Sequence, residues 1–201
     1  WLQTPLDCVY NELFDAPNAD AVILDVAEPS APNAPLPKIP KDLPAYLRSL
    51  YAAPLLTAEQ ERDLFRRFNY LKHKASKLLK GLRIDAVAEK QVETIRGLIA
   101  GVDTLRQRLV RANLRLVVSI AKKHVGWSES FYEVVSDGNM SLMRAIEKFD
   151  YSLGNKFSTY ASWAIIKNYA RSIPEDHYYC KRFVTGQDEL LDAVPDLSAV
   201  A

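Results

Sequence analysis

Residues 156–173 read KFSTYASWAIIKNYARSI, and their spacing predicts a helix with two chemically different faces. One face of the helical wheel is largely aliphatic and is expected to pack on a core; it consists of Ile165, Ile166, Tyr169 and Ile173. The opposite face combines three aromatic rings with two cations: Phe157, Tyr160, Trp163, Lys167 and Arg171. We therefore expect the aliphatic side of this helix to be buried. The aromatic and basic side needs a separate explanation.

The aromatic face has two interpretations. Aromatic rings stack on nucleic-acid bases at about 1–3 kcal/mol per base, and Lys and Arg neutralise phosphates. Rings along one side of a rigid helix suit bases that have left a duplex, because a paired base does not offer its face. The alternative is that the rings are buried against a second layer of helices. The two cations favour the first interpretation, but the sequence leaves both open.

Composition limits the class of protein. The 201 residues include only seven glycines, which favours a mainly helical chain, and no apolar run long enough to span a membrane. Two widely separated cysteines form no disulfide framework and favour a reducing, cytoplasmic setting. The three histidines lack metal-ligand spacing, and we recognise no nucleophile–base pair or phosphate-cradling glycine loop. We therefore expect no metal, no cofactor and no enzymatic activity.

The net charge of +1 conceals a gradient along the chain. Residues 1–37 carry six acids and no Lys or Arg, residues 101–182 carry thirteen Lys or Arg and eight acids, and residues 183–201 carry four acids and no Lys or Arg. A basic middle predicts a polyanionic partner, or else acidic ends that fold back onto it. One hypothesis is that the acidic N-terminus covers the aromatic, basic face until a partner binds; the favoured alternative is an arm that docks elsewhere or stays disordered.

The first part of the chain is an acidic arm over residues 1–42, in which repeated prolines predict an extended linker. Thr57 and Gln60 then form a capping box that opens a helix to about Lys80. Its buried side is expected to comprise Leu64, Phe65, Phe68, Leu71, Ala75 and Leu78. Its basic residues are expected to form a solvated face: Arg62, Arg66, Arg67, Lys72, Lys74 and Lys77.

Two further helices complete the predicted bundle. The segment Leu114–Ala121 is apolar almost all round, which predicts a helix at the centre of the fold. Ser130 and Glu133 form a second capping box, for a helix to about Phe149. One face of this helix either receives a basic partner helix or simply meets solvent; it carries Glu133, Ser136, Asp137, Met140 and Arg144. The sequence thus predicts an all-α protein: a compact bundle of helices with a long central apolar helix, preceded by an extended proline-rich arm.

Three consecutive stretches resemble the central domain of bacterial sigma factors, in the family that includes the housekeeping sigma factor. They are LVRANLRLVVSIAKKH (109–124), FYEVVSDGNMSLMRAIEKFDY (131–151) and GNKFSTYASWAI (154–165). LPAYLRSLYAAPLLTAEQE (43–61) is similar to the preceding conserved segment of that family. We therefore expect a sigma domain over 43–182, after the arm at 1–42. The chain starts at Trp1 rather than Met, which suggests a fragment. We expect the acidic tail 183–201 to lead to further domains, because the sequence has no recognisable helix-turn-helix for an upstream promoter element.

The resemblance implies a non-catalytic subunit that binds core RNA polymerase at the clamp helices of its largest subunit. The polymerase-facing residues, matched position by position, would be Tyr132, Glu133, Ser136, Asp137, Asn139 and Met143. The family usually has Leu, Asp and Gln at the positions of Tyr132, Glu133 and Ser136, respectively. The resemblance leaves open an anti-sigma factor as a further partner; no membrane partner is expected, because the chain lacks a long apolar run.

The resemblance also implies promoter DNA as a partner, through recognition and melting of the non-template strand of the −10 element. Phe157 and Tyr160 match the aromatics that capture a flipped adenine, and Trp163 matches a tryptophan at the edge of the melted region. Lys156 matches a phosphate-facing lysine, while Lys167 and Arg171 share the aromatic face. A pocket for an extruded thymine would consist of Asn113, Arg115, Leu116 and Ser119.

Departures from the family pattern predict an alternative sigma factor rather than the housekeeping one. Ala164 stands in place of a second tryptophan, and Asn155 in place of an aromatic residue. Lys167 and Ala170 replace the glutamine and threonine associated with the first base pair of the element. We expect weaker melting and a different base preference at that position. A competing hypothesis is a sigma-like regulator that occupies polymerase without opening promoters.

Overall fold

The computed structural model describes residues 6–27, 48, 50, 55–81, 89–125 and 131–171. Apart from the isolated helical residues 48 and 50, these ranges contain five α-helices and no strand. They are α1 (Ala19–Ile23), α2 (Ala58–Gly81), α3 (Glu89–Val125), α4 (Phe131–Lys148) and α5, described over 157–171. Short 3-10 helices lie at Glu12–Asp15 and Tyr151–Leu153. The prediction of an all-α bundle is confirmed. The proposed domain boundaries near 42 and 182, together with Ser130 and Ile173, lie outside the described residues.

The start of α2 follows from its local sequence. The Gln60 amide donates to Thr57 Oγ1 at 3.2 Å, and the Thr57 amide donates to Gln60 Oε1 at 3.0 Å. This reciprocal pair satisfies two backbone donors that a helix start otherwise leaves without partners. The capping box predicted at Thr57 is therefore confirmed, and α2 begins at the next residue.

The long helix α3 lies at the centre of the fold and packs against both α2 and α4. Leu109, Val117 and Ala121 on α3 are fully buried, and they belong to one core that also includes α4 and α5 side chains. This arrangement confirms the prediction of a long central apolar helix. Of the helices in the described ranges, none has the length and apolar character needed to cross a membrane.

The basic face of α2 differs from the prediction. Lys72 is only 2% exposed, and its ammonium lies 2.7 Å from Glu147 Oε2 on α4. Arg67 is also buried, with its Nε 2.7 Å from Asp63 Oδ2 one turn earlier. Both side chains are buried because a carboxylate compensates their charge. The prediction that all six cations face solvent is thus wrong for these two, and Leu78, expected to be buried, is exposed.

The acidic N-terminal segment 6–27 is folded onto α2. Phe14 and Ile23 are buried in the common core. Asp20 accepts hydrogen bonds from Tyr70 Oη and Lys74 Nζ, both at 2.7 Å, and Arg67 donates to two backbone carbonyls near the end of the segment. This part of the arm is therefore not extended, and it docks on α2 rather than over the aromatic face of α5. The proline-rich part of the arm lies in residues that are not described.

Candidate nucleic-acid interface

The turn between α4 and α5 brings the aromatic helix back onto the bundle. Asp150 caps the 3-10 helix by accepting from the Ser152 amide at 2.9 Å. Gly154 then adopts φ 71°, a left-handed conformation that glycine reaches without steric cost. These two local features reverse the chain, so that α5 starts next to the N-terminal half of α2.

Phe157, at the start of α5, lies in the core and not on the exposed face. It has no exposed surface, and its ring centroid is 5.0 Å from that of Phe65 on α2 and 5.1 Å from that of Phe149. Phe65 and Phe149 are themselves 4.8 Å apart, so that the three rings form one cluster. The expectation that Phe157 lies on the exposed face of α5 is wrong, because two neighbouring aromatics cover its ring. Its role in DNA binding stays a prediction.

Tyr160 and Trp163 are the rings that α5 presents to solvent. Tyr160 is 39% exposed and rests on the edge of the buried cluster, with its ring centroid 5.5 Å from that of Phe149. Trp163 is 72% exposed. On the opposite side of α5, Ile165 and Tyr169 are buried as predicted, whereas Ile166 is partly exposed, contrary to the prediction. Helix α5 therefore exposes two aromatic rings, and the Tyr160 ring is supported by its contact with Phe149.

A basic groove of about 240 Å³ runs between α4 and α5 beside Tyr160. Its cations come from both helices: Arg144, Lys148, Lys167 and Arg171. Ala164, Asn168 and two small residues of α4 complete its walls. The sequence pattern placed Arg144 on the face expected to meet a partner or solvent and gave no role to Lys148. The signal was their spacing of one helical turn on α4, which places both side chains on one side.

Tyr169 joins α5 to the first half of α4. Its hydroxyl donates to the Val134 carbonyl oxygen at 2.7 Å, and burial raises the pKa of this phenol well above its usual range. Gly138 makes the approach feasible, because a Cβ at this position would overlap Tyr169 Oη and lie 2.6 Å from Val117 Cγ1. The relative position of α4 and α5 thus depends on a glycine and a buried hydroxyl.

The outer face of α4 is polar with two exposed apolar side chains. Glu133, Ser136 and Asp137 are exposed. Tyr132 is 51% exposed, and Met140 is 47% exposed. The two remaining members of the predicted polymerase-facing set, Asn139 and Met143, are partly buried.

The predicted pocket residues lie on the middle of α3. Ser119 is exposed, and the three others are partly buried: Asn113, Arg115 and Leu116. The Asn113 side chain donates to the Leu109 carbonyl at 2.8 Å within the helix. Lys156 is exposed immediately before α5. Across the ranges that the structure describes, no group of His, Cys, Asp and Glu is arranged to hold a metal ion.

Comparison with known proteins relates the second half of the chain to sigma factors. Residues 109–173, which include the second half of α3 and all of α4 and α5 as described, match the family model for sigma-70 region 2. A curated relative, the RNA polymerase sigma factor SigA of a Bacillus species, is 46% identical over 88 residues. That alignment covers 44% of this chain and 23% of the relative, so that the matched part spans about a quarter of the relative's length.

Proposed function

We propose that this chain, whose residues 109–173 match sigma-70 region 2, is a member of the sigma-70 family and a transcription initiation factor that binds core RNA polymerase and recognises and melts the −10 promoter element. The proposed binding and melting of DNA rests on one observation: two exposed rings, Tyr160 and Trp163, occur together with a groove that holds four cations. A tryptophan that is mostly exposed contributes little to packing in the free domain. The exposed rings and the basic groove together supply the two kinds of contact that an unpaired strand needs, namely stacking on bases and neutralisation of phosphates.

Melting by this protein draws on binding energy alone. Removing a base from the duplex stack costs a few kcal/mol, and a base stacked on Tyr160 or Trp163 returns about 1–3 kcal/mol. The two rings together can therefore offset the unpairing of a small number of bases. Phe157 acts indirectly, since it packs on Phe149, the ring against which Tyr160 rests.

The groove between α4 and α5 would hold the backbone phosphates of the same strand. Its four cations supply charge without reading sequence, and Lys156 extends the positive surface towards the start of α5. Neutralising several phosphates makes affinity fall steeply with salt concentration. The four α3 residues, Asn113, Arg115, Leu116 and Ser119, remain the proposed pocket for an extruded thymine.

The outer face of α4 would bind polymerase. Glu133 and Asp137 are exposed one turn apart and suit Arg or Lys side chains on the clamp helices of the largest subunit. Tyr132 and Met140 add exposed apolar surface on the same helix, which is typical of the core of a protein interface. Asn139 and Met143, being partly buried, would contribute less.

The departures within α5 support an alternative member of the family. Ala164 lines the groove beside Tyr160 with a methyl group where relatives carry a second tryptophan, and Asn155 adds no ring. Each missing ring forfeits about 1–3 kcal/mol of stacking. We therefore propose weaker melting than that of the housekeeping factor. Lys167 would alter the preference at the upstream edge of the element.

Permanganate reactivity of thymines in a fork-junction promoter, with core polymerase present, tests the function. The wild-type chain should produce reactive thymines in the −10 element. Trp163→Ala should reduce the equilibrium constant for opening about 5–150-fold, which corresponds to one lost stacking contact. Ile166→Ala, which removes a partly exposed aliphatic side chain from another side of α5, is the matched control and should change little.

Two results would contradict the proposal. Polymerase binding without reactive thymines would identify a sigma-like regulator that occupies polymerase but opens nothing. Equal activity of Trp163→Ala and wild type would mean that the exposed ring has no part in strand opening.

A further inference from the structure

Helix α5 begins without a capping side chain of its own. The residue before its first helical position is Lys156. A helix start leaves backbone amides without acceptors, and Ser, Thr, Asp or Asn at the preceding position usually supplies one. The Lys ammonium has three donors and no acceptor, so it cannot fill this role.

A carboxylate from another helix replaces the missing cap. The Phe157 amide donates to Glu61 Oε1 at 2.9 Å, from a residue 96 positions earlier in the chain. Glu61 is half-buried in the first turn of α2. Burial raises the pKa of its carboxyl, while the Phe157 amide and the Lys156 ammonium act in the opposite direction. A negative group at this place also complements the positive end of the α5 dipole.

The same part of α2 holds the side chain of Phe157. Phe65 lies one turn after Glu61, and its ring packs directly on the Phe157 ring. Helix α2 therefore fixes both the backbone amide and the ring of the first residue of α5. Tyr160 follows less than one turn later, and its ring lies on Phe149, a member of the same cluster.

We propose that Glu61 is a positioning residue for strand opening: it caps α5 from α2 and thereby sets the direction in which Tyr160 and Trp163 face the DNA. This inference rests on the proposed function, because orientation of the two rings matters only if they meet bases. Helix α2, which lies outside the stretch that matches sigma-70 region 2, thereby helps to position α5.

Three variants of the 201-residue chain separate the cap from its charge. Glu61→Ala removes the acceptor. Glu61→Gln keeps an amide oxygen that can accept from Phe157 and removes the charge. Glu59→Ala changes an exposed acid in the same turn of α2 and serves as the control.

Amide exchange of residues 157–160 in the chain alone tests the cap. Glu61→Ala should accelerate exchange about five-fold, as expected for the loss of an N-terminal cap, while Glu61→Gln and Glu59→Ala stay within two-fold of wild type. Equal protection in Glu61→Ala and wild type would overturn the inference, because α5 would then need no external cap. Such a result would leave the proposed function untouched.

Promoter opening with core polymerase tests the consequence. Glu61→Ala should open a fork junction about five-fold more slowly at unchanged affinity for polymerase, and Glu61→Gln should restore the rate to within two-fold. A variant that had merely lost stability would also lose affinity, and Gln would not be expected to rescue opening selectively. A normal opening rate in Glu61→Ala would overturn the positioning role. Absence of opening in wild type would instead refute the proposed function, which the exchange data cannot do.

Discussion

Two aromatic residues on the same side of the α5 wheel have opposite environments. Phe157 is fully buried among rings from α2 and from the end of α4, whereas Trp163 is mostly exposed. Near its start, α5 faces α2 and the turn that precedes it. Trp163, nearly two turns further along, has no such cover. The contribution of each ring to stability and to binding should therefore be separable.

Phe157→Ala should lower the free energy of unfolding by about 3–5 kcal/mol, because it leaves a cavity between Phe65 and Phe149. Trp163→Ala should change it by no more than about 0.5 kcal/mol, as is usual for exposed positions. Urea denaturation of the two variants measures this contrast. Similar losses of stability in both would mean that Trp163 is packed in solution.

Lys167 faces a groove that it shares with three other cations, and its role in base preference is open to a direct test. Lys cannot accept a hydrogen bond, so the bidentate contact with adenine that Gln makes is lost, whereas donation to guanine remains. Lys167→Gln should shift preference at the upstream base pair by about 1–3 kcal/mol towards that of the housekeeping factor. Binding of the reconstituted holoenzyme to fork junctions carrying each base pair measures the shift. Uniform weakening of all four sequences would show that Lys167 contacts only the phosphate backbone.

At the scale of elements, α4 connects the two proposed interfaces. One side of it carries exposed acids, and another contributes Arg144 and Lys148 to the basic groove. Its contact with α5 passes through Gly138, where the Tyr169 hydroxyl approaches closely. The spacing between the two proposed binding surfaces thus depends on how tightly these two helices pack.

Gly138→Ala should destabilise the protein by about 1–3 kcal/mol, because the added methyl group overlaps Tyr169 Oη and crowds Val117. Gly97 offers a matched control on α3, since a Cβ there meets nothing within 4 Å. Gly97→Ala should stabilise by up to about 1 kcal/mol through helix propensity. Thermal or urea unfolding compares the two. A stabilising effect at both positions would mean that the α4–α5 contact readily adjusts.

Reversal of Glu133 and Asp137 to Lys should weaken binding to core polymerase by several kcal/mol, through like-charge contact with the clamp helices. Both side chains are exposed, so the fold should be retained. Co-purification and titration with core polymerase measure the loss, with circular dichroism as the check on folding. Unchanged affinity would exclude this face of α4 as the polymerase-binding surface.

At the scale of the whole molecule, contacts between distant parts of the chain hold the helices together. Glu147 on α4 accepts from Lys72 on α2 and Arg106 on α3, both at 2.7 Å. Burial opposes ionisation of Glu147, but these two cations keep its pKa below the ordinary value. The acidic segment 6–27 is attached to α2 in a similar way, through carboxylates opposite lysines.

Asp15 gives this attachment a defined pH dependence. It accepts hydrogen bonds from Lys77, Tyr10 and His73, which lower its pKa from 3.8 to about 2. Since the folded pKa lies below the unfolded one, its contribution is complete above about pH 4 and is lost as the pH falls towards about 2. Asp15→Asn should therefore be less stable than wild type at pH 7, and the difference should vanish by about pH 2. Urea titrations across this range measure it, and a difference independent of pH would contradict the assignment.

The sequence by itself determined the features that depend on neighbours along the chain. Helical periodicity predicted α2, the apolar centre of α3, α4 and the two faces of α5, because burial of one side imposes a repeat of 3.6 residues. The capping box at Thr57 was predictable because all of its atoms belong to residues 57–60. The helical wheel also placed Trp163 and the cations of α5 opposite the aliphatic side, and the structure leaves them exposed.

Only the tertiary structure decided which members of a predicted face are covered. Periodicity gives the direction of a side chain but not the extent of the element that packs on it, so Phe157 and Trp163 could not be distinguished. Lys72 is buried because Glu147, distant in sequence, compensates its charge, and the basic groove exists because α4 and α5 each contribute two cations. The cap of α5 by Glu61 has the same origin. Electrostatic and packing partners that meet through folding carry no local signal, and they determine which surface remains free to bind.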